Sequence, residues 1–304
     1  MLRRFCLLGL FLGVCAGAQA KHIYQYTDAQ GVVHFTDQKP PDNTAGVKSA
    51  LVHTDAQPLL RSREDGPDED RTVLFTNASG GPITLQLSLT DATNVRSEPE
   101  LPAQVVLPGS SETRALHIVA TNPAAGFRYR YKYTYLPGDY RAQPDDTRYH
   151  LPFSASQFRI NQAFNGEFSH HDPASQYAVD IGMPEGTPVL AARAGVVMTV
   201  ESDYYGNGLD MAKYGDRANN IRVVHADGTM AVYAHLQLES ARVQVGEHVH
   251  AGQTLALSGD TGYTNGPHLH FCIQRNANME LVSVPFQFTG PNGDFVPTQG
   301  MMVP

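Results

Sequence analysis

Gly266-Pro267-His268-Leu269-His270-Phe271 alternates two histidines with two large apolar residues. Successive side chains of a strand leave opposite faces, so His268 and His270 project to one side and Leu269 and Phe271 to the other. The apolar pair calls for a core and the imidazole pair for a cleft. Two convergent imidazoles suit a metal site, or one ligand beside one acid–base group. The turn glycines Gly259, Gly262 and Gly266 strengthen a pattern that on its own is common on surfaces. His248 and His250 have the same spacing, but they lie between Gly246 and Gly252 among polar neighbours and read as solvated.

Working back along the chain, Tyr233-Ala234-His235-Leu236 repeats the alternation, with Tyr233 and His235 on one face and Leu236 packed inward. His225 is followed at once by Asp227-Gly228 and reads as a hairpin-end residue. Asp180 sits between Val179 and Ile181, whose place is the core, so its carboxylate points to the opposite side. A carboxylate placed there needs a partner, and a metal would supply one. Just upstream lies Phe168-Ser169-His170-His171-Asp172, and eight of the 13 histidines fall between positions 170 and 270. That segment is where chemistry is expected.

The rest of the chain reads as β-rich and exported. Its 304 residues are 41% hydrophobic and 17% charged, with abundant glycine and proline and no long amphipathic helical run. Arg3 and Arg4, the apolar stretch from Phe5 to Val14 and the small residues Ala18-Gln19-Ala20 have the order of a signal peptide over 1–20. The apolar stretch is well short of the ~20 residues of a membrane span, so no membrane insertion is expected after cleavage. Cleavage would remove Cys6 and Cys15 and leave Cys272 without a disulfide partner. A net charge of −8 argues against nucleic acid and anionic membranes as partners.

Residues 21–53 contain a hairpin pattern, Ile23–Tyr26 and Val32–Phe35 around Asp28-Ala29-Gln30-Gly31, and resemble a small domain found in exported bacterial proteins. Residues 54–70, rich in acid and proline, read as a solvated linker. Over 71–150, Ile83, Leu85, Leu87 and Leu89 alternate with polar residues, as do Tyr129, Tyr131, Tyr133 and Tyr135, which predicts a β-sandwich-like domain. The tyrosine row could stack on sugar rings, but a packed face with hydroxyls at its rim is the simpler reading. Residues 155–290 form the last domain, and 291–304 read as a tail.

Ser169-His170, Tyr177-Ala178-Val179-Asp180, Gly186-Thr187-Pro188-Val189, Gly195-Val196-Val197, Tyr233-Ala234-His235-Leu236, Thr261-Gly262 and the 266–271 hexapeptide together resemble the lysostaphin-type (LytM, M23) zinc metallopeptidases over about 160–285. The resemblance implies an antiparallel β-sheet peptidase domain with a groove. It implies Zn2+ held by His170, Asp180 and His270, with His235 and His268 as non-ligand catalytic residues. The activity implied is cleavage of peptide cross-links in peptidoglycan (murein), in the periplasm or outside the cell. Relatives without the ligands act as non-catalytic activators of cell-wall amidases, so partner enzymes of the wall are an alternative; retention of the ligand residues favours catalysis. In one respect the chain departs from the commoner family pattern: ten residues separate His170 from Asp180. On an extended segment only one of His170 and His171 can face Asp180. Ser169 and the lead-in Gly166 and Phe168 favour His170, whereas the nine-residue spacing favours His171.

Overall fold

Strands make up almost all of the regular structure. The computed structural model describes residues 21–28, 33–36, 46–52, 58–154 and 157–304. The signal-peptide reading of 1–20 and the hairpin turn at 29–31 lie outside these residues. Apart from one helical turn, α1 (Met211–Tyr214), the described elements are strands. Among the described residues no helix is long and apolar enough to cross a membrane.

The chain divides into a unit ending at Ala56 and a unit beginning at Gln57. In the first, β1 (Lys21–Thr27) pairs antiparallel with β2 (Val33–Thr36), with Tyr26 opposite His34, and on its other side with β3 (Lys48–Val52). The pairing of β1 with β2 is the expected one. The third strand is not announced by any alternation in Lys48-Ser49-Ala50-Leu51-Val52.

The second unit opens with two antiparallel sheets packed face to face. One has the order β4-β5-β9-β7, from β4 (Leu60–Asp65), β5 (Asp70–Asn77), β7 (Val95–Glu98) and β9 (Ser111–Ala120). The other, in the order β10-β6-β8, comprises β6 (Ile83–Thr93), β8 (Ala103–Leu107) and β10 (Arg128–Pro137). Phe75, Leu85, Leu87, Leu107, Leu116 and Ile118 interdigitate between them. Strand β4 corrects the linker reading of 54–70. It lies at a sheet edge with only Leu60 buried, so its side chains show no alternation and backbone pairing with β5 defines it. Its charged residues have partners: Arg63 forms a two-pronged pair with Glu112, and the Tyr131 hydroxyl donates to Glu64 at 2.9 Å. Tyr129 and Tyr131 pack against the sandwich core, and Tyr133 meets Phe75 edge-on at 4.9 Å. Only half of the tyrosine row is therefore packed, since Tyr133 and Tyr135 are exposed.

The remaining strands build around a large sheet in the order β19-β15-β17-β18-β22-β13-β12-β26. Its members in chain order begin with β12 (Phe158–Gln162), β13 (Val179–Gly182), β15 (Gly195–Glu201), β17 (Asn220–Val224) and β18 (Met230–Ala234). β19 (His248–Val249), β22 (Leu269–Asn276) and β26 (Met302–Val303) complete that path, and β23 (Leu281–Ser283) pairs with β22. Short pairs flank it: β14 (Pro188–Leu190) with β20 (Thr254–Leu257), and β16 (Asn207–Gly208) with β21 (Gly262–Tyr263). β24 (Phe288–Gly290) pairs with both β11 (Tyr149–His150) and β25 (Gly293–Phe295). Val179, Ile181, Tyr233, Leu269 and Phe271 are fully buried in one core, each contributing about 1.5–3 kcal/mol by burial. Residues 291–304 are not a tail. β26 extends the sheet beside β12 and Val303 is buried, but strands of two or three residues carry no readable period.

His225 ends the β17–β18 hairpin, as expected, yet it is buried against Tyr149, with Nδ1–H donating to the Ala194 carbonyl at 2.9 Å. Its Nε2 has no hydrogen-bond partner among the described residues. Burial pushes the ring's pKa down to about 4. Below about pH 6.5 the unfolded chain takes up a proton that the folded ring refuses, so this contribution to stability is lost as pH falls toward 4. The loss should be of the order of 3 kcal/mol by pH 4. His225→Asn should flatten the fall in melting temperature between pH 6.5 and 4, measured by calorimetry; an unchanged slope would contradict this assignment.

Candidate active site

The register of β13 against β22 places Asp180 directly opposite His270, and Val179 and Ile181 opposite Phe271 and Leu269. Opposed residues of an antiparallel pair share a face, so one alternation both buries the four apolar side chains and brings carboxylate and imidazole together. His270 Nδ1 lies 2.9 Å from Asp180 Oδ1. His268, just before β22, turns its Nε2 to 3.7 Å from the same oxygen.

His170 arrives from the connection between β12 and β13. That segment is a turn rather than an extended run, with the His170 N–H donating to the Gly166 carbonyl at 3.0 Å, so the alternation argument for His170 against His171 does not apply. The turn itself separates the two. His170 is buried with Nε2 3.2 Å from Asp180 Oδ1, and His171 is exposed. The extra loop residues are held by Asp172, whose side chain accepts from the N–H groups of Ala174 and Ser175.

His235 departs from the expected geometry in a different way. The alternation groups Tyr233 with His235 opposite Leu236, but Tyr233 is itself buried in the core and accepts the Ala192 N–H at its hydroxyl. His235 follows the end of β18 with φ +61°, a left-handed conformation uncommon for a residue with a side chain. That single reversal takes its ring out of the core, to 4.5 Å from the ring of His268 and 6.0 Å from that of His270. His248 and His250 are exposed, as expected.

Backbone carbonyls set the protonation of three of these rings. The Nδ1 atoms of His170, His235 and His268 lie 2.9, 2.7 and 2.8 Å from the carbonyls of Ala163, Thr261 and Gly266. A carbonyl only accepts, so each Nδ1 carries a hydrogen; neutral rings of His235 and His268 then keep a bare Nε2, whereas His170 is drawn toward its protonated form with Nε2–H on Asp180. Burial raises the Asp180 carboxyl, but hydrogen bonds with His170 and His270 more than reverse this and hold it ionised well below the usual range. Burial also pushes down His170, and the Asp180 carboxylate outweighs that. His235 is pushed down to about 3, first by burial and then by His268 and His270, and is neutral at pH 7.

One atom each from His170, Asp180 and His270 lies within 4.8 Å of the others, a donor set that could hold a metal ion. Two nitrogens and an oxygen, with one ring oriented by a backbone carbonyl, fit zinc chemistry. The cluster opens on a groove of about 1020 Å³. Phe168 and Tyr263, which both line it, stack at 5.8 Å, and Val296 to Gln299 form part of its wall. Gln162 is a member that the sequence reading does not name. Its only signal is a polar residue in the third inward position of Phe158, Ile160, Gln162.

A carboxylate and two imidazoles converging beside two further histidines in an open groove form a site of the metallopeptidase class. Residues 174–280 match peptidase family M23, and residues 10–64 match a domain of unknown function, DUF4124. Lysostaphin of Staphylococcus simulans is 37% identical over 102 residues, 34% of this chain and 18% of that protein. The peptidoglycan DD-endopeptidase ShyA of Vibrio cholerae is 30% identical over 142 residues, 45% of this chain and 30% of that protein. The catalytic domain of lysostaphin in a solved structure is 30% identical, with 40% of this chain covering 80% of that one at a TM-score of 0.29. The match to peptidase family M23 covers residues 174–280, about a third of the chain, and includes Asp180, His235, His268 and His270. The chain spans less than a third of the length of either curated relative.

His170→Ala and His270→Ala should each abolish stoichiometric binding of one divalent metal, and His171→Ala should leave it intact, measured by metal analysis after dialysis. Retention in His170→Ala with loss in His171→Ala would reverse the assignment.

Proposed function

We propose that the protein is a zinc-dependent endopeptidase that hydrolyses peptide cross-links of bacterial peptidoglycan after export to the periplasm or beyond. The observation that carries this reading is the meeting of Asp180 with His170, His268 and His270 at one carboxylate oxygen, with His235 beside them, on a groove of about 1020 Å³. In this reading Zn2+ is held by His170, Asp180 and His270, leaving a fourth position open to water or substrate. Bound zinc would polarise the scissile carbonyl and lower the pKa of its water to about 7.

The chain's own residues supply the proton handling. His235 and His268 carry bare Nε2 atoms with Nδ1–H fixed on backbone carbonyls, so each ring can accept a proton from water at Nε2 and return it to a leaving amine. The low basicity of His235 keeps it in the accepting form. Asn161, Asn165, Asn265 and Gln299 line the groove, and no lysine or arginine is among the described residues lining it. Neutral amides suit main-chain amides on both sides of an internal bond, whereas a substrate's terminal carboxylate would find no basic side chain among these lining residues. An activator without catalysis has no use for this histidine set.

Incubation of cross-linked peptidoglycan with the zinc-loaded protein should release uncross-linked fragments, separable by chromatography, and removal of the metal should stop it. Full hydrolysis by a verified metal-free preparation would overturn the proposal. His235→Ala and His268→Ala should keep the metal and lose about 10²–10⁴ in kcat. Metal loss from either as complete as in His270→Ala would reassign that residue as a ligand.

A further inference from the structure

Both ends of the Gln162 carboxamide are committed to the site. Gln162 is buried near the end of β12, and its Nε2 donates to Asp180 Oδ2 at 2.9 Å and to Ser169 Oγ at 2.8 Å. Its Oε1 accepts the backbone N–H of Phe168 at 2.9 Å and of Ser169 at 3.4 Å. A primary amide has two N–H donors and two lone pairs, and all four are used here. The packing admits little else: a Cβ at Gly166 would lie 2.2 Å from the Gln162 side chain.

The two oxygens of Asp180 are thereby made unequal. Oδ1 faces the nitrogens of His170, His268 and His270 at 3.2, 3.7 and 2.9 Å, and Oδ2 is held by Gln162 on the other side. The same amide grips the main chain immediately before His170. We propose that Gln162 is a positioning residue for the metal centre, fixing Asp180 so that Oδ1 alone is presented and fixing the turn that delivers His170. This rests on the reading of His170, Asp180 and His270 as a metal site. A carboxylate free to rotate would offer either oxygen or both, and would have to be ordered when the ion binds; Gln162 orders it when the chain folds. A neutral donor does this without cancelling the carboxylate's charge, which an arginine or lysine at 162 would do.

The test uses the full chain and zinc titrated against a competing chromophoric chelator, with the Co2+-substituted form examined by its visible absorption. Gln162→Met keeps the length of the side chain and removes all four hydrogen bonds. It should bind zinc about 10–100-fold more weakly, and its cobalt form should show altered band intensity as the carboxylate changes its mode of attachment. Ser169→Ala, which leaves the bond to Asp180 in place, should stay within about threefold of the parent. Unchanged zinc affinity in Gln162→Met overturns the proposal. Weaker affinity with an unaltered cobalt spectrum overturns it as well, since that would mark general loosening. Should the metal-free Gln162→Met protein fail to show a cooperative melt, Gln162→Glu decides. It keeps the Oε1 contacts to Phe168 and Ser169 and loses the donor to Asp180, so its cobalt spectrum should change, and an unaltered one overturns the proposal. Failure of the parent protein to bind zinc would instead refute the metal site itself.

Discussion

Everything at the candidate site depends on the pairing of Asp180 with His270 across β13 and β22. With a side-chain period of two, a slip of one residue would exchange the faces, sending Asp180 into the core and Val179 and Ile181 into the groove. A carboxylate buried without partners costs several kcal/mol even after the chain relaxes around it. The apolar residues flanking the site residues are thus the reason that the polar ones converge. The core enforces the register and the register assembles the chemistry.

What was legible in the sequence follows from which parts obey that period. Asp180 between Val179 and Ile181, and His268 and His270 around Leu269, could be placed because strand alternation alone decides their faces. Tyr233 and His235 also looked alternating, but one left-handed residue broke the pattern, and nothing local to a histidine announces a positive φ. His170 was nameable from its Ser169 context, although the geometry that buries it is a turn held by the Gly166 carbonyl rather than a strand. Strand β4 and the strands after residue 290 were missed because edge strands and two-residue strands are defined by backbone pairing, which leaves no mark on side-chain polarity. Gln162 was invisible for the opposite reason. It occupies a position that alternation assigns to the core, and only the partners brought to it from other elements give it a purpose.

The electrostatics of the site are likewise set by main chain as much as by side chains. Carbonyls of Ala163, Thr261 and Gly266 decide which nitrogen of each ring carries hydrogen. Those carbonyls lie on turns held by their own hydrogen bonds, with Thr261 Oγ1 donating to the Leu236 carbonyl and Thr264 Oγ1 to that of Gly266. The rings of His170, His235 and His268 are therefore oriented before any ligand arrives.

The wall segment from Val296 to Gln299 and the strand beyond it come later in the chain than every histidine of the site. Asp180 and His270 are themselves separated by 90 residues. Contacts so distant in sequence form late and slowly, because most of the loop entropy must be lost before any pairing rewards it. No short fragment of the chain holds the hydrolytic groups together. In an unfolded or half-made chain Asp180 and the histidines stay apart, and the site exists only with the completed sheet.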